Sequence, residues 1–170
     1  MIQLVNKAVV TDPCYGLGTV GTKIVDKVKP GTYISSVRET NEGIWGMRVA
    51  HLQVVHQNYQ DEYLDWQEQA TEIWVDSGQC GVYDFAYRDN ILGIGEYDEP
   101  DSFYGKACKC TDDDVYGEQD DKGVTSRSGF GDGAYDLYLA KDNEQVVGFR
   151  IVFIDDTPQE DEQDWDEEDE

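Results

Sequence analysis

Two glycine-rich stretches hold much of what could do chemistry in this sequence: Ser77 to Phe85, SGQCGVYDF, and Ser128 to Tyr138, SGFGDGAYDLY. Backbone N–H groups bared by glycine can cradle a phosphate, but that chemistry needs G-x-G-x-x-G running from a strand into a helix N-terminus. Here the glycines stand at 129, 131 and 133, after a polar segment and ahead of a strand-like one. The pattern therefore predicts turns or bulges that use glycine's freedom at positive φ. The stretches echo each other, as Ser77-Gly78, Gly81, Tyr83-Asp84 and Ser128-Gly129, Gly133, Tyr135-Asp136. Turns of similar chemistry at equivalent places in a sheet are the expectation.

Carboxylates cluster at the same places. Asp12, Asp76, Asp84, Asp132 and Asp136 all fall in or beside turns, where carboxylate and carbonyl oxygens can hold a hard cation. Asp12, Asp76 and Asp132 are the candidate ligands, for calcium or magnesium, of a metal- or ligand-dependent site with a hydrolytic role. The competing explanation is that aspartate favours turns through its own backbone hydrogen bonds. The run DDDVYGEQDDKG fails as a calcium loop, because counting from Asp112 puts Tyr116 at position five and Gly123 at position twelve. Cys108 and Cys110 would share one face of a strand, but no spacing among Cys14, Cys80, His51 and His56 supplies the two further ligands of a closed zinc site. His51 and His56, five apart, fall on opposite faces of a strand. Ser77 lacks the G-x-S-x-G elbow, and carboxylate pairs among 37 acidic residues discriminate nothing. No catalytic residue is assigned, and the expectation is a protein without enzymatic activity or cofactor.

Charge gives the stronger signal. The chain carries 37 acidic against 13 basic side chains, a net charge of -24, and from Asp155 onward eleven acids stand with no Lys or Arg. Removing that end takes -24 to -13, so the body is acidic too. A nucleic-acid surface needs clustered Lys and Arg to displace counterions from phosphates, and no segment offers it. Direct binding of nucleic acid is thereby argued against. Within DEQDWDEEDE, Trp165 is flanked by Asp164, Asp166, Glu167 and Glu168; an indole among acids suits a basic partner surface with one apolar pocket. The expected partner is a basic protein, itself nucleic-acid-binding, and the acidic chain would inhibit it or mimic its nucleic acid.

The elements that must position these residues read as strands. Asn6–Asp12 is β-branched and stopped by Asp12-Pro13. Pro30–Glu39 opens on a Pro-Gly turn, and Ile44–Asn58, apolar at both parities, is a central strand. Glu72–Gly78 and Cys80–Tyr87 give two short strands. A final hairpin turns at Lys141-Asp142-Asn143 and carries Val147, Phe149, Ile151 and Phe153 on one face. Asn58–Ala70 could form two or three helical turns, and the polar run from Tyr97 to Gly129 reads as the mobile connection. Eleven Tyr and four Trp argue against a wholly disordered acidic chain. The sum is a mostly β protein: one antiparallel sandwich or partly closed barrel over 4–154, with one or two short helices, and a disordered acidic tail over 155–170. No apolar run approaches the roughly 20 residues that cross a bilayer. No secretory leader is visible, so a soluble cytoplasmic protein with four free cysteines is expected.

TDPCY (Thr11 to Tyr15), PGTY (Pro30 to Tyr33), WGMRV (Trp45 to Val49), VDSGQCGVYD (Val75 to Asp84), SGFGDGAYDLY and RIVFI (Arg150 to Ile154) occur in that order. This set resembles a group of small uncharacterised proteins of Firmicute bacteria and their phages. VDSGQxG and SGxGDGxY are its most specific pieces. The resemblance implies a β-rich fold and a phage or mobile-element origin, and it carries no catalytic residues across.

Overall fold

The alternation of β-branched and aromatic residues is realised as a long antiparallel sheet. The computed structural model describes residues 1–89 and 94–155. Among these the strands are β1 (Ile2–Thr11), β2 (Lys23–Asn41), β3 (Met47–His56), β4 (Trp66–Glu68), β5 (Ile73–Val75), β6 (Gln79–Asp84), β7 (Tyr116–Gln119), β8 (Gly123–Arg127), β9 (Gly133–Asp142) and β10 (Gln145–Val152). Two helices, α1 (Phe85–Asp89) and α2 (Phe103–Asp113), interrupt them. The strand order is β4-β9-β10-β3-β2-β1-β6-β8-β7, with β5 also paired to β9. The path ends at β4 and β7 without closing, yet Leu4, Val82, Val124, Leu137, Phe149 and Ile151, drawn from across that order, share one buried cluster. The sheet thus curls around a single core, and burying each large apolar side chain there stabilises it by roughly 1.5–3 kcal/mol.

β3 is central as its two-sided apolar pattern predicts, lying between β2 and β10. In β10, Val147, Phe149 and Ile151 are all buried, as are Phe153 just beyond its end and Val146 on the other parity. The last hairpin turns one residue later than its sequence suggests, at Asn143-Glu144, both at positive φ between the paired Asp142 and Gln145. That backbone twist suits a two-residue connection between antiparallel strands.

The structure also decides or corrects several local expectations. Pro30-Gly31 is no turn: β2 runs straight through it, with a register shift in its pairing to β1 between Leu4 and Asn6. Gly31, at φ 146°, lies against the His56 imidazole, where a Cβ would come within 2.5 Å of Nε2. His56 Nδ1 accepts from the Asn58 amide, which leaves Nε2 to donate to the Pro30 carbonyl at 3.2 Å. Asn58–Ala70, readable as two or three helical turns or equally as a loop, takes the loop form: a single 3-10 turn (Gln57–Tyr59) leads toward β4.

The polar run from Tyr97 to Gly129 is built rather than loose, holding α2, β7 and β8. Ser102 caps α2 by accepting from the Gly105 amide at 2.9 Å, and Phe103, Ala107, Cys108 and Thr111 form its buried face. Cys108 and Cys110 therefore sit on a helix, where two residues of separation turn them to different sides instead of sharing a strand face. Among the described residues no helix is long and apolar enough to cross a membrane.

Candidate functional site

Asp12 is the most heavily engaged carboxylate among the described residues. It is fully buried, one residue beyond β1, and both of its oxygens accept hydrogen bonds. Oδ1 takes the Cys14 amide at 2.8 Å and the Ser77 hydroxyl at 2.6 Å, while Oδ2 takes the amides of Asp76 and Ser77, each at 2.7 Å. One side chain thus fixes its own Asp-Pro turn and the Asp76-Ser77-Gly78 turn between β5 and β6. Asp76 is exposed and accepts from the Tyr15 hydroxyl at 2.7 Å, and the Arg88 guanidinium donates to the Tyr15 carbonyl at 2.8 Å. The TDPCY and VDSGQ segments are accordingly one structural unit.

The second glycine turn adjoins the first. The Ser128 amide donates to the Gly78 carbonyl at 3.1 Å, and Ser128 Oγ and the Tyr135 hydroxyl both donate to the Gly131 carbonyl, at 2.9 and 2.6 Å. The echo in sequence also has a physical basis. In each copy a tyrosine two residues after a glycine lies back over it on the same face of the strand. A Cβ on Gly81 would stand 2.3 Å from the Tyr83 hydroxyl, and one on Gly133 would stand 3.2 Å from that of Tyr135. The turns are neighbours rather than equivalents in separate parts of the sheet.

Together they floor a cleft of about 350 Å³ that no single sequence segment announces. Arg48 from β3 and Arg127 from the end of β8 line it, with Tyr97, Tyr104 and Asp112 around α2, and Phe130 between the glycines. The Arg48 guanidinium lies over the Phe130 ring, 5.3 Å from its centroid, while its Nε donates to the Trp45 carbonyl at 3.0 Å. Arg127 donates through Nε and one terminal nitrogen to the Thr111 carbonyl, at 3.0 and 2.6 Å, closing the C-terminal end of α2. Among the described residues neither arginine meets a carboxylate within salt-bridge distance. Beside the cleft Trp45, Met47 and Phe130 stand 61%, 58% and 53% exposed. The signal for these residues was an arginine inside or next to two of the most regular motifs, WGMRV and RSGFGDG, in a chain poor in basic residues.

The residues expected from sequence fare differently. Asp12 and Asp76 come together, but as acceptors of N–H and O–H groups that a cation would have to displace; Asp132 is exposed in the second turn. Among the described residues no three His, Cys, Asp or Glu side chains gather to hold a metal ion. Asp84 is buried and accepts from the Val5 amide at 2.9 Å, bracing β1. Asp164, Trp165, Asp166, Glu167 and Glu168 lie outside the described residues. No family model, curated protein or solved structure matches the chain.

The cysteines are all free thiols. Burial, then the adjoining Asp12 carboxylate, pushes Cys14 up to about 12, and burial pushes Cys110 up to about 11. Because only the thiolate attacks an electrophile, Cys14 in the native chain is expected to react with iodoacetamide at about pH 8 at least ~100-fold more slowly than in the urea-unfolded chain. Peptide mass spectrometry over a time course checks this, and equal rates would contradict the packed Asp12–Cys14 turn.

Proposed function

We propose that this is a non-enzymatic interaction protein, of phage origin, whose acidic surface occupies a basic site on a host or phage protein and can stand in there for nucleic acid. The observation that carries this reading is where the fold puts its carboxylates. Asp12 and Asp84 are the buried acids among the described residues, and the others keep access to solvent. Lys7–Asp26, Lys106–Asp120 and Lys109–Asp113 pair with only a fraction of them. Folding therefore leaves the charge of the body largely displayed. From the last turn of α2 through the β7–β8 turn, Asp112, Asp113, Asp114, Glu118, Asp120 and Asp121 follow in close succession along the chain. A field of this sign accelerates encounter with a positive partner and weakens as salt shortens the Debye length from about 10 Å at 0.1 M.

The test is capture by the immobilised full chain, with the bound proteins identified. The expected partners are basic nucleic-acid-binding proteins that elute as salt is raised and are displaced by duplex DNA. Partners that are neutral or acidic, or complexes indifferent to both salt and DNA, would overturn the reading.

A further inference from the structure

The end of the described chain is anchored at the arginine-lined cleft. The amides of Phe153 and Ile154 donate to the Ala50 carbonyl at 2.8 and 3.0 Å, and Ala50 follows Arg48 by two residues along β3, about 7 Å. On the other side Phe153 and Ile154 abut Gly129, where a Cβ would stand 3.1 Å from each of them. The acidic segment that follows Asp155 thus starts beside the two arginines that meet no carboxylate among the described residues, and beside the exposed Phe130 ring.

We infer that the cleft lined by Arg48, Arg127 and Phe130 is a binding site for an acidic peptide bearing one aromatic anchor, and that its occupant is this chain's own C-terminal segment, with Trp165 against Phe130 and its flanking acids on the guanidiniums. Reach is sufficient: the ten residues that follow Asp155, up to Trp165, span up to about 33 Å when extended, and the segment begins at the cleft wall. A short intramolecular tether supplies an effective concentration in the millimolar range, so weak contacts suffice. The terminal nitrogens of Arg48 carry no hydrogen bond to any described residue and suit paired carboxylate oxygens. Asp112 opposes the arrangement at the rim, where it accepts from the Tyr97 hydroxyl at 2.9 Å, but one carboxylate faces two guanidiniums. The more distant acids of the body act through solvent and are largely screened beyond a Debye length.

This site concerns the chain alone and stands whether or not a partner of the proposed kind exists. The experiment accordingly contains only the full-length protein, so its failure is distinct from failure of partner capture. The indole N–H resonances are recorded on ¹⁵N-labelled chain, and Trp165 is assigned by Trp165→Phe. Docking is expected to move the Trp165 resonance away from that of a solvated indole. Arg48→Ala and Arg127→Ala should each return it most of the way while the other indoles keep their dispersion. Arg127 also holds the end of α2, so Arg48→Glu decides the matter if Arg127→Ala disturbs the fold. Chain concentration should have no effect on the wild-type shift. A Trp165 resonance at the solvated position in the wild type, one unmoved by either arginine substitution, or one that shifts with chain concentration would overturn the inference.

Discussion

Asp12→Ala is expected to lower the stability of the folded chain by about 4 kcal/mol, the largest effect of any single side chain outside the apolar core. The carboxylate accepts four hydrogen bonds, three from amides and one from a hydroxyl, and a hydrogen bond to a charged group contributes about 1.5–3 kcal/mol. Not all of that is lost on truncation, because Asp76 is exposed and water can reach some of the vacated amides. Asp12→Asn is the sharper comparison. Its amide retains one carbonyl oxygen but presents two N–H hydrogens where the site offers only donors, so it should recover little of the loss. Urea unfolding of the three proteins, followed by tryptophan fluorescence, measures this. If Asp12→Asn were as stable as wild type, the charge at position 12 would be irrelevant; a calcium-dependent rise in wild-type stability would instead favour metal binding at these turns.

Why the sequence marks this residue yet not its role follows from how the site is assembled. Asp12-Pro13 reads locally as a turn, and Asp76-Ser77-Gly78 reads as another. The bonds that join them connect residues more than sixty positions apart, and no local pattern encodes that pairing. The strands are legible because alternation is local: β3 shows its two-sided burial, and β10 its buried face of Val147, Phe149 and Ile151, in their own residues. α2 is not, because its buried face consists of Phe103, Ala107, Cys108 and Thr111 within a stretch crowded with Asp and Lys. Pro30-Gly31 misleads for a related reason. Its usual meaning is a turn, whereas here the glycine makes room for an imidazole from β3. The cleft is the least legible feature, since β3, the turn before β6, α2 and the segment after β8 each contribute only a few residues. Only the acidic character of the surface passes from composition to structure almost unchanged, because hydration keeps unpaired carboxylates out of the core.

That surface and its aromatic end make different predictions for the partner complex. If Trp165 is an anchor, Trp165→Ala is expected to weaken capture of a basic partner by about 30-fold, equivalent to about 2 kcal/mol, while leaving the net charge at -24. The comparison is best made in an Arg48→Ala background, so that the chain's own cleft does not compete for the indole. If charge alone drives association, the same substitution is silent, and only neutralising Asp164, Asp166, Glu167 and Glu168 reduces affinity. Salt separates the contributions. Exposed charge pairs weaken as ionic strength rises toward about 0.5 M, whereas burial of an indole in an apolar pocket does not. The ratio of wild-type to Trp165→Ala affinity should therefore persist across that range even as both affinities fall. A ratio near one at both low and high salt would remove the anchor and leave the segment as a carrier of charge; a ratio that vanished only at high salt would place the indole in a contact held by the neighbouring carboxylates.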